Sequence, residues 1–394
     1  MQASALAEDF APDWAAIAVV ILGVTAFSVG QGLTYPLISL VMEARGVSSS
    51  LAGLNASIFA AGLATSTLMI GRLTALLRGD RLIVAGLAGA SASLAAFAIF
   101  DSLPVWFLAR FTLGFSTSII FAVSEAWLNA ACPDRLRGRV SGIYGASMCL
   151  GFAAGPLAIP AVGTDDGFAF ALIAVYVAFV AFVSVMLGRF ARTKPEASPA
   201  GGLLAFSRAA PILLLMVLAF GFSDIAAITS IPLYMVERGY SDNFAAYVVT
   251  MVALPTALAQ PLIGWLLDNV SRRLIAIASA VTSGATFLLL PFLTSEAALL
   301  ATVSLLGAAS FSLYTCALTL LGDRFRGPLL VSGAAAFGLS YAIGSAIGSG
   351  ATGVVMDLSL DAAPISIGLL MLVFAAIFAV GLPAARPAGT DNHG

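Results

Sequence analysis

The sequence has little charge. Only 10% of its 394 residues are Asp, Glu, Lys or Arg, whereas 60% are hydrophobic, and the mean hydropathy is +1.03. Soluble domains carry about 25% charged residues, and a soluble helical protein would need polar outer faces that this chain lacks. We therefore predict an integral membrane protein embedded in a lipid bilayer. The net charge of −2, without a basic patch, predicts no nucleic-acid partner.

Histidine and cysteine are also scarce. The only histidine is His393 in the tail, and Cys132, Cys149 and Cys316 lie in or at the ends of apolar segments. This is too few for a disulfide framework, and no Cys/His cluster indicates a metal. No phosphate-binding G-x4-G-K-S/T loop and no nucleophile–base–acid set is found. We therefore predict neither an enzyme nor a primary pump, and no cofactor. Residues 1–13 carry three acids and no base, which does not fit a cleavable signal peptide.

Twelve apolar segments are present, each long enough to cross a bilayer. An open sheet cannot cross lipid, so we predict an all-α membrane protein with twelve transmembrane helices, numbered 1 to 12 along the chain. Of 18 basic residues, only Arg45 and Arg238 follow odd-numbered helices, and Arg110 lies inside helix 4. The other 15 follow even-numbered helices or lie in the tail. The positive-inside rule then places the even-numbered loops and both termini in the cytoplasm, and the protein in the cytoplasmic (inner) membrane.

The chain repeats itself. Residues 27–31 correspond to residues 220–224, 193 positions later, and Arg45-Gly46 returns as Arg238-Gly239 at the same offset. The run D-R-L-R-G at 134–138 returns as D-R-F-R-G at 323–327, 189 positions later. Two copies of one six-helix bundle are typical of secondary transporters, whose substrate site lies between the copies near the midplane. The predicted domains are a first bundle (1–187), a cytoplasmic linker (188–208), a second bundle (209–384) and a cytoplasmic tail (385–394).

One acid lies deep in the predicted membrane region. Asp224 is the only charged residue among the 28 between Arg208 and Glu237, and it occupies the repeat position of Gln31. Ionisation at that depth is costly, and intramembrane acids are functional by default. Because a low dielectric favours the neutral carboxyl, Asp224 is our first candidate for a proton-coupling site. A structural acid, hydrogen-bonded between helices, is the alternative.

Helix 4 carries a polar stripe at helical spacing. Its members are Arg110, Gly114, Ser118, Phe121, Glu125 and Asn129. Arg110 and Glu125 are 15 residues apart, about 22 Å along a helix, so they cannot pair. Arg110 is a candidate for anion binding or proton coupling, or a staple between helices. Glu125 is a candidate coupling residue, or an anchor for the 134–139 loop. Trp127 is a candidate substrate contact or an interfacial belt aromatic.

Several motifs resemble those of the major facilitator superfamily, over essentially the whole chain. The superfamily's loop motif G-x-x-x-D-x-x-x-R-R/K is matched after helix 8 by Gly264, Asp268, Arg272 and Arg273. After helix 2 only Gly71 and Arg72 match, and Ala75 replaces the acid, for which Asp80 is the alternative. Asp134, Arg135, Asp323 and Arg324 complete the predicted gating residues.

Two further motifs narrow the resemblance. Gly142, Gly151, Gly155 and Pro156 in helix 5 resemble the antiporter motif of drug/proton exporters, although Ile159-Pro160 stands where two glycines would follow. The run from Glu125 to Asn129 is similar to one in YcaD-like members. In the superfamily, helices 1, 4, 7 and 10 line the cavity. This resemblance adds Gln31, Tyr35, Ser310 and Tyr314 as candidate substrate-cavity residues.

The resemblance implies a monomeric, proton-coupled secondary transporter of a small organic solute that works by rocker-switch alternating access. The partial antiporter motif favours export over uptake by symport. Sodium coupling, a channel and a non-transporting receptor or scaffold stay as alternatives. Loss of the Asp224 carboxylate separates proton-coupled transport from the last two.

Overall fold

The computed structural model describes residues 11–163, 167–193, 203–325 and 327–382. Within these ranges twelve helices are long and apolar enough to cross a membrane, as the sequence predicts. We call them α1 to α12. Their bounds are Trp14–Ala44, Ser49–Leu76, Gly79–Ile99, Leu103–Ala131, Asp134–Leu157, Phe168–Gly188, Pro211–Glu237, Asp242–Asn269, Arg272–Leu289, Glu296–Arg324, Gly327–Leu358 and Ala362–Gly381.

The repeat in the sequence is also a repeat in structure. Gly46 and Gly239 both adopt positive φ, 71° and 87°, directly after α1 and α7. The amide that follows each glycine donates to a carbonyl five residues back, Val47 to Met42 and Tyr240 to Met235, both at 3.0 Å. This helix-ending motif favours glycine because only glycine adopts the left-handed conformation without strain. Helices α1 and α7 therefore end in the same way.

Asp13 holds together one end of the first six helices. Its Oδ1 accepts the amide of Ala16 and caps α1, while its Oδ2 accepts the amides of Arg192 and Thr193 at 2.6 and 2.7 Å. Its own amide donates to the carbonyl of Ala131 at the end of α4. Burial opposes the ionisation of Asp13, yet the hydrogen bonds from Thr193, Ala16 and Arg192 hold the pKa of its carboxyl below the usual range. Asp13 thus joins α1 to the end of α4 through its amide and to the chain after α6 through its carboxylate.

The two halves touch at one end of the bundle. We call it the odd-loop end, because the loops after odd-numbered helices lie there, and the opposite end the even-loop end. The main contacts between halves are α2 with α11 and α5 with α8. A Cβ added at Gly53 of α2 would overlap the carbonyl oxygen of Ser349, and one at Gly353 of α11 would overlap that of Ser49. The two backbones can approach this closely only because both positions lack side chains.

A carboxylate from the second half caps a helix of the first. Asp357, near the end of α11, accepts the amides of Ser49 and Ser50 in the first turn of α2, at 2.8 and 3.0 Å, and also the Ser50 hydroxyl. The Ser49 hydroxyl donates to Glu237 at the end of α7, at 3.0 Å. A negative charge at a helix N-terminus is favourable because it meets free N–H groups and the positive end of the helix dipole. These bonds stabilise the closed odd-loop end.

The hydrogen bonds and ion pairs that the structure shows at the even-loop end stay within one half. Arg272 forms an ion pair with Asp323 at 2.9 Å, and Arg273 donates to the carbonyl of Ala379 in α12. A Cβ on Gly264 would meet nothing within 4 Å, and Arg72 is exposed. Among the described side chains, no hydrogen bond joins the two halves at this end. The described contacts between the halves therefore close the odd-loop end, and towards the even-loop end the side chain of Glu125 in α4 is exposed, which marks that end as open.

We expect Asp13→Ala to lower the stability of the protein by about 2 kcal/mol near neutral pH, since it removes a helix cap and charge-assisted hydrogen bonds. Because the folded pKa is depressed, the stabilisation is present above the unfolded pKa of about 4 and is lost as the pH falls through the folded value. Thermal unfolding in detergent would show a gap to wild type that narrows in acid. Asp242→Ala, which removes a partly exposed first-turn acid of α8, is the control; equal losses in both variants would contradict the role of Asp13.

We expect Gly53→Val to open the odd-loop end. The added side chain overlaps a backbone carbonyl of α11 only in the closed arrangement, and overpacking costs about 1–3 kcal/mol. That cost shifts the population by roughly fivefold to a hundredfold. Spin labels at exposed positions 54 and 354, in a background without Cys132, Cys149 and Cys316, would report longer distances. Gly264→Val, where space is open, should leave the distances unchanged; unchanged distances in Gly53→Val would contradict the proposed contact.

Candidate functional site

Three inner helices carry the polar centre of the bundle. The most hydrophobic windows of α1, α4 and α7 are 67%, 61% and 72% buried, against 28–50% for the other nine spans. Asp224 lies near the middle of α7, two residues before a π-helical turn, Ala226–Ser230. Such turns often occur at functional sites, and they rotate the following side chains relative to those before. Pro232 lies in the first turn of Ile231–Glu237, the α-helical segment that completes α7.

The Asp224 carboxylate accepts a hydrogen bond within the second half and lies towards the first half. Its Oδ2 accepts the hydroxyl of Tyr341 in α11 at 2.9 Å, and its side chain is only partly buried. Tyr35 of α1 is within electrostatic range of both Asp224 and Arg110. Among the described residues no basic group forms an ion pair with Asp224. A carboxylate with one hydroxyl donor and access to the cavity is well suited to gain and lose a proton.

Arg110 is enclosed rather than exposed to the cavity. It is 1% exposed, and its guanidinium lies over the rings of Tyr35 and Phe59, 4.9 Å from each centroid. Its Nε and Nη1 have no hydrogen-bond partner within the described ranges. The two aromatic faces attract the cation, but they do not satisfy its donors. Arg110 is therefore a buried charge with no acid partner among the described residues, and it packs on Tyr35.

Glu125 is the exposed acid of the site. It lies in α4, one helical turn beyond the partly exposed ring of Phe121, and no ion pair among the described residues involves it. Tyr144 of α5 and Tyr314 of α10 are both within electrostatic range of its carboxylate. Tyr314 belongs to the second half, so Glu125 faces the opposite wall of the open cavity. The alternative role of Glu125, as an anchor for the 134–139 loop, depends on side chains that mostly lie outside the described part of the structure.

Aromatic rings connect the two acids. Tyr314 stacks on Phe220 with centroids 5.2 Å apart, and Phe220 packs against Tyr341 at 5.4 Å. Phe311 packs against Phe220 and Tyr314 at 5.5 and 5.7 Å. Tyr341 in turn donates to Asp224. The second half thus holds a continuous chain of ring contacts from Tyr314, at the level of Glu125, to Tyr341, at the level of Asp224.

Other predicted cavity residues bridge helices instead. The buried side chain of Gln31 donates to Thr117 of α4 at 3.4 Å, and Ser118 bonds to Thr67 of α2 at 3.1 Å. Ser310 bonds to Ser223 and Ser283 at 3.2 and 3.0 Å, which joins α7, α9 and α10. These four helix-to-helix bonds use polar groups to hold each half together. They turn the side chains away from the open cavity.

Trp127 also packs within the first half. Its ring is 1% exposed, and its indole N–H donates to the carbonyl of Thr193 at 3.1 Å, next to the Asp13 cluster. It therefore contacts the chain after α6, and the structure places it neither in the cavity nor on the outer surface.

The helix 5 motif lies at a close contact between α1 and α5. A Cβ on Gly155 would overlap the backbone of Gly32 and Leu33, and one on Gly151 would lie 3.1–3.3 Å from Ser28 and the backbone around it. Pro156 lies inside the last turn of α5. The predicted positions whose side-chain surroundings lie outside the described part of the structure are Asn129, Asp134, Arg135, Gly142 and Asp268. Arg324 is exposed, and Gly71 is partly exposed.

Sequence reasoning missed three polar side chains of the membrane region. Tyr341 lies in a glycine-rich helix whose small residues predicted only close packing. Tyr144 is 8% exposed and its hydroxyl has no hydrogen-bond partner among the described residues, and the same holds for both amide atoms of Asn55, 1% exposed. A search for the few polar side chains in apolar segments would have found all three.

Comparison with known proteins agrees with this architecture. The sequence model of the Major Facilitator Superfamily matches residues 20–247 and 213–393. The chain belongs to the major facilitator superfamily. Its members are transporters rather than enzymes. The chain is 27% identical over 348 residues to an uncharacterised MFS-type transporter, YfkF, of Bacillus subtilis (strain 168), covering 86% of this chain and 88% of that protein.

Solved structures of superfamily members share the fold at low sequence identity. A mutant of the nucleoside transporter NupG superposes with a TM-score of 0.78 at 12% identity, covering 93% of this chain and 98% of that one. A mutant of the peptide transporter POT superposes with a TM-score of 0.80 at 13% identity, covering 94% of both chains. This superfamily protein thus has the twelve-helix fold in two related halves.

We expect Arg110→Leu to be at least as stable as wild type. A buried guanidinium without an acid partner carries a desolvation cost that exceeds the gain from two ring contacts, and apolar replacements of buried charges are often neutral or stabilising. Thermal unfolding in detergent would measure this. Arg273→Leu, which removes a cation hydrogen-bonded to a carbonyl, should lower the unfolding temperature. A similar loss in both variants would mean that Arg110 has an unrecognised partner.

Proposed function

We propose that this protein is a proton-coupled secondary transporter of a small, partly apolar organic solute. The observation that carries the proposal is Asp224, a lone carboxylate at mid-membrane, partly accessible and bonded to one tyrosine hydroxyl. Its neighbours come from α1 and α11, one from each half. A proton bound there would therefore affect how the halves fit together.

The membrane orientation follows from the basic residues of the loops. Fifteen of 18 basic residues lie in even-numbered loops or the tail, so we place the even-loop end and both termini in the cytoplasm. The closed odd-loop end then faces the periplasm or cell exterior, and the cavity opens to the cytoplasm. The structure corresponds in this scheme to an inward-open state of a cytoplasmic-membrane protein.

Alternating access would use the contacts at the odd-loop end as one gate. Rocking of the halves would separate α2 from α11 and bring the even-loop motifs of Arg72 and Arg272 together. Asp224 would accept a proton on one side and release it on the other. Protonation removes its charge, which lowers the free energy of an occluded state in which the carboxyl is cut off from water.

Export by antiport is the direction we favour. The helix 5 residues Gly151, Gly155 and Pro156 match the antiporter motif, and the structure uses the two glycines for close packing against α1, a helix of the polar centre. In antiport, protonation from outside would accompany the return of the empty site. Uptake by symport is the second candidate. The monomer is the default for this fold, by analogy.

Asp224→Asn is expected to abolish solute-driven proton flux, because an amide keeps the shape and loses the titratable group. We would reconstitute both proteins in liposomes with an internal pH dye and scan a mixed solute library. The wild type should move protons with at least one solute, and the proton flux of the variant with that solute should be at least tenfold lower. Opposite signs of solute and proton flux would establish antiport, and equal signs symport.

Two comparisons make this test decisive. Asp242→Asn, which changes a partly exposed acid in the same half, should behave as wild type. Replacement of all sodium by potassium should leave wild-type flux unchanged if protons are the coupling ion. Solute movement without protons in the wild type would refute coupling, and an Asp224→Asn variant with full proton flux would move the coupling site elsewhere.

A further inference from the structure

The open cavity exposes negative charge and hides its positive charge. Glu125 is exposed and Asp224 is partly exposed, whereas Arg110 is 1% exposed beneath Tyr35 and Phe59. Past the arginines of the even-numbered loops, an anionic solute inside the cavity would meet the carboxylate of Glu125, while the guanidinium of Arg110 is covered. The charge that the cavity can recognise is therefore positive.

The surroundings of Glu125 suit an organic cation better than a metal ion. No other acid, His or Cys joins it in a group that could hold a metal within the described ranges. Its neighbours are instead rings: Phe121 one turn away, Tyr144 on the same half and Tyr314 on the other. Aromatic faces attract ammonium and other organic cations, and the effect is strongest where water is excluded.

A polar group beside Glu125 has no partner. The Tyr144 hydroxyl is buried, lies within electrostatic range of the Glu125 carboxylate and makes no hydrogen bond among the described residues. Buried hydroxyls normally have partners, so this unpaired donor near an exposed acid is available to the Glu125 carboxylate from behind the site. The partly exposed rings of Tyr314 and Tyr341, both packed on the buried Phe220, lead from this point towards Asp224 and would contact an apolar body.

We propose that Glu125, Tyr144 and Tyr314 form a recognition site for an organic cation with an apolar body. This deepens the transport function proposed above and rests on it for its physiological use. Glu125 would neutralise the cation, the rings would cover it, and the two acids would have separate tasks: Glu125 for solute and Asp224 for the proton.

A pair of probes of one shape and opposite charge tests the site directly. We would measure equilibrium binding of tetraphenylphosphonium and tetraphenylborate to the purified full chain in detergent at neutral pH. We expect the cation to bind at least tenfold more tightly than the anion. The affinity of Glu125→Gln for the cation should be at least tenfold lower than that of wild type, and Glu125→Asp should retain part of the affinity. Glu296→Gln, which changes an exposed acid at the far end of α10, should match wild type.

Ring variants and Asp224→Asn separate this proposal from the transport function. Tyr314→Leu should lower the affinity for the cation. The Asp224→Asn variant should bind the cation with an affinity within about threefold of wild type, even where its proton flux is lost. Equal binding of both probes, no binding of the cation, or an unchanged Glu125→Gln variant would each overturn the cation site. Loss of coupling in Asp224→Asn would still stand in those cases. Cation binding without any proton flux would support the site and refute the transport mechanism.

Discussion

The contact between α2 and α11 at the odd-loop end is the constraint on which the rest of the structure depends. Gly53 and Gly353 let the two backbones meet, and Asp357 caps the first turn of α2 from the opposite half. Both features need the halves to be together at this end. Because each half is a packed bundle, closing one end leaves the other open. The accessibility of Glu125 and Asp224 follows from this geometry.

The repeated scaffold carries unequal groups at its centre. Gln31 and Asp224 occupy matching positions, yet the amide is buried against Thr117 while the carboxylate is partly exposed beside Tyr341. An amide stays neutral at any depth, whereas a carboxylate changes charge at a cost that depends on its access to water. The duplication thus repeats the helix framework, while its divergence puts a titratable carboxylate, Asp224, where the first half has an amide.

Helical spacing predicted the stripe on helix 4 but not the surroundings of its members. Glu125 faces the cavity, Ser118 bonds to α2, and Arg110 lies beneath Tyr35 and a ring of α2. A stripe spread over six turns meets different neighbours along its length, so one face of a helix can pass from a closed interface to open space. Trp127 shows the same limit, because its partner lies 66 residues later.

The sequence by itself determined the membrane class, the twelve helices, the duplication and Asp224 as the unusual residue. These are properties of segment length, apolarity and repeat, which are local and independent of packing. Only the tertiary structure decided which end is closed, which charges are accessible and which polar groups lack partners. Those properties depend on how helices distant in the chain meet, and a side chain's burial is set by neighbours that its own segment does not contain. Tyr341 beside Asp224, 117 residues apart, is the clearest case.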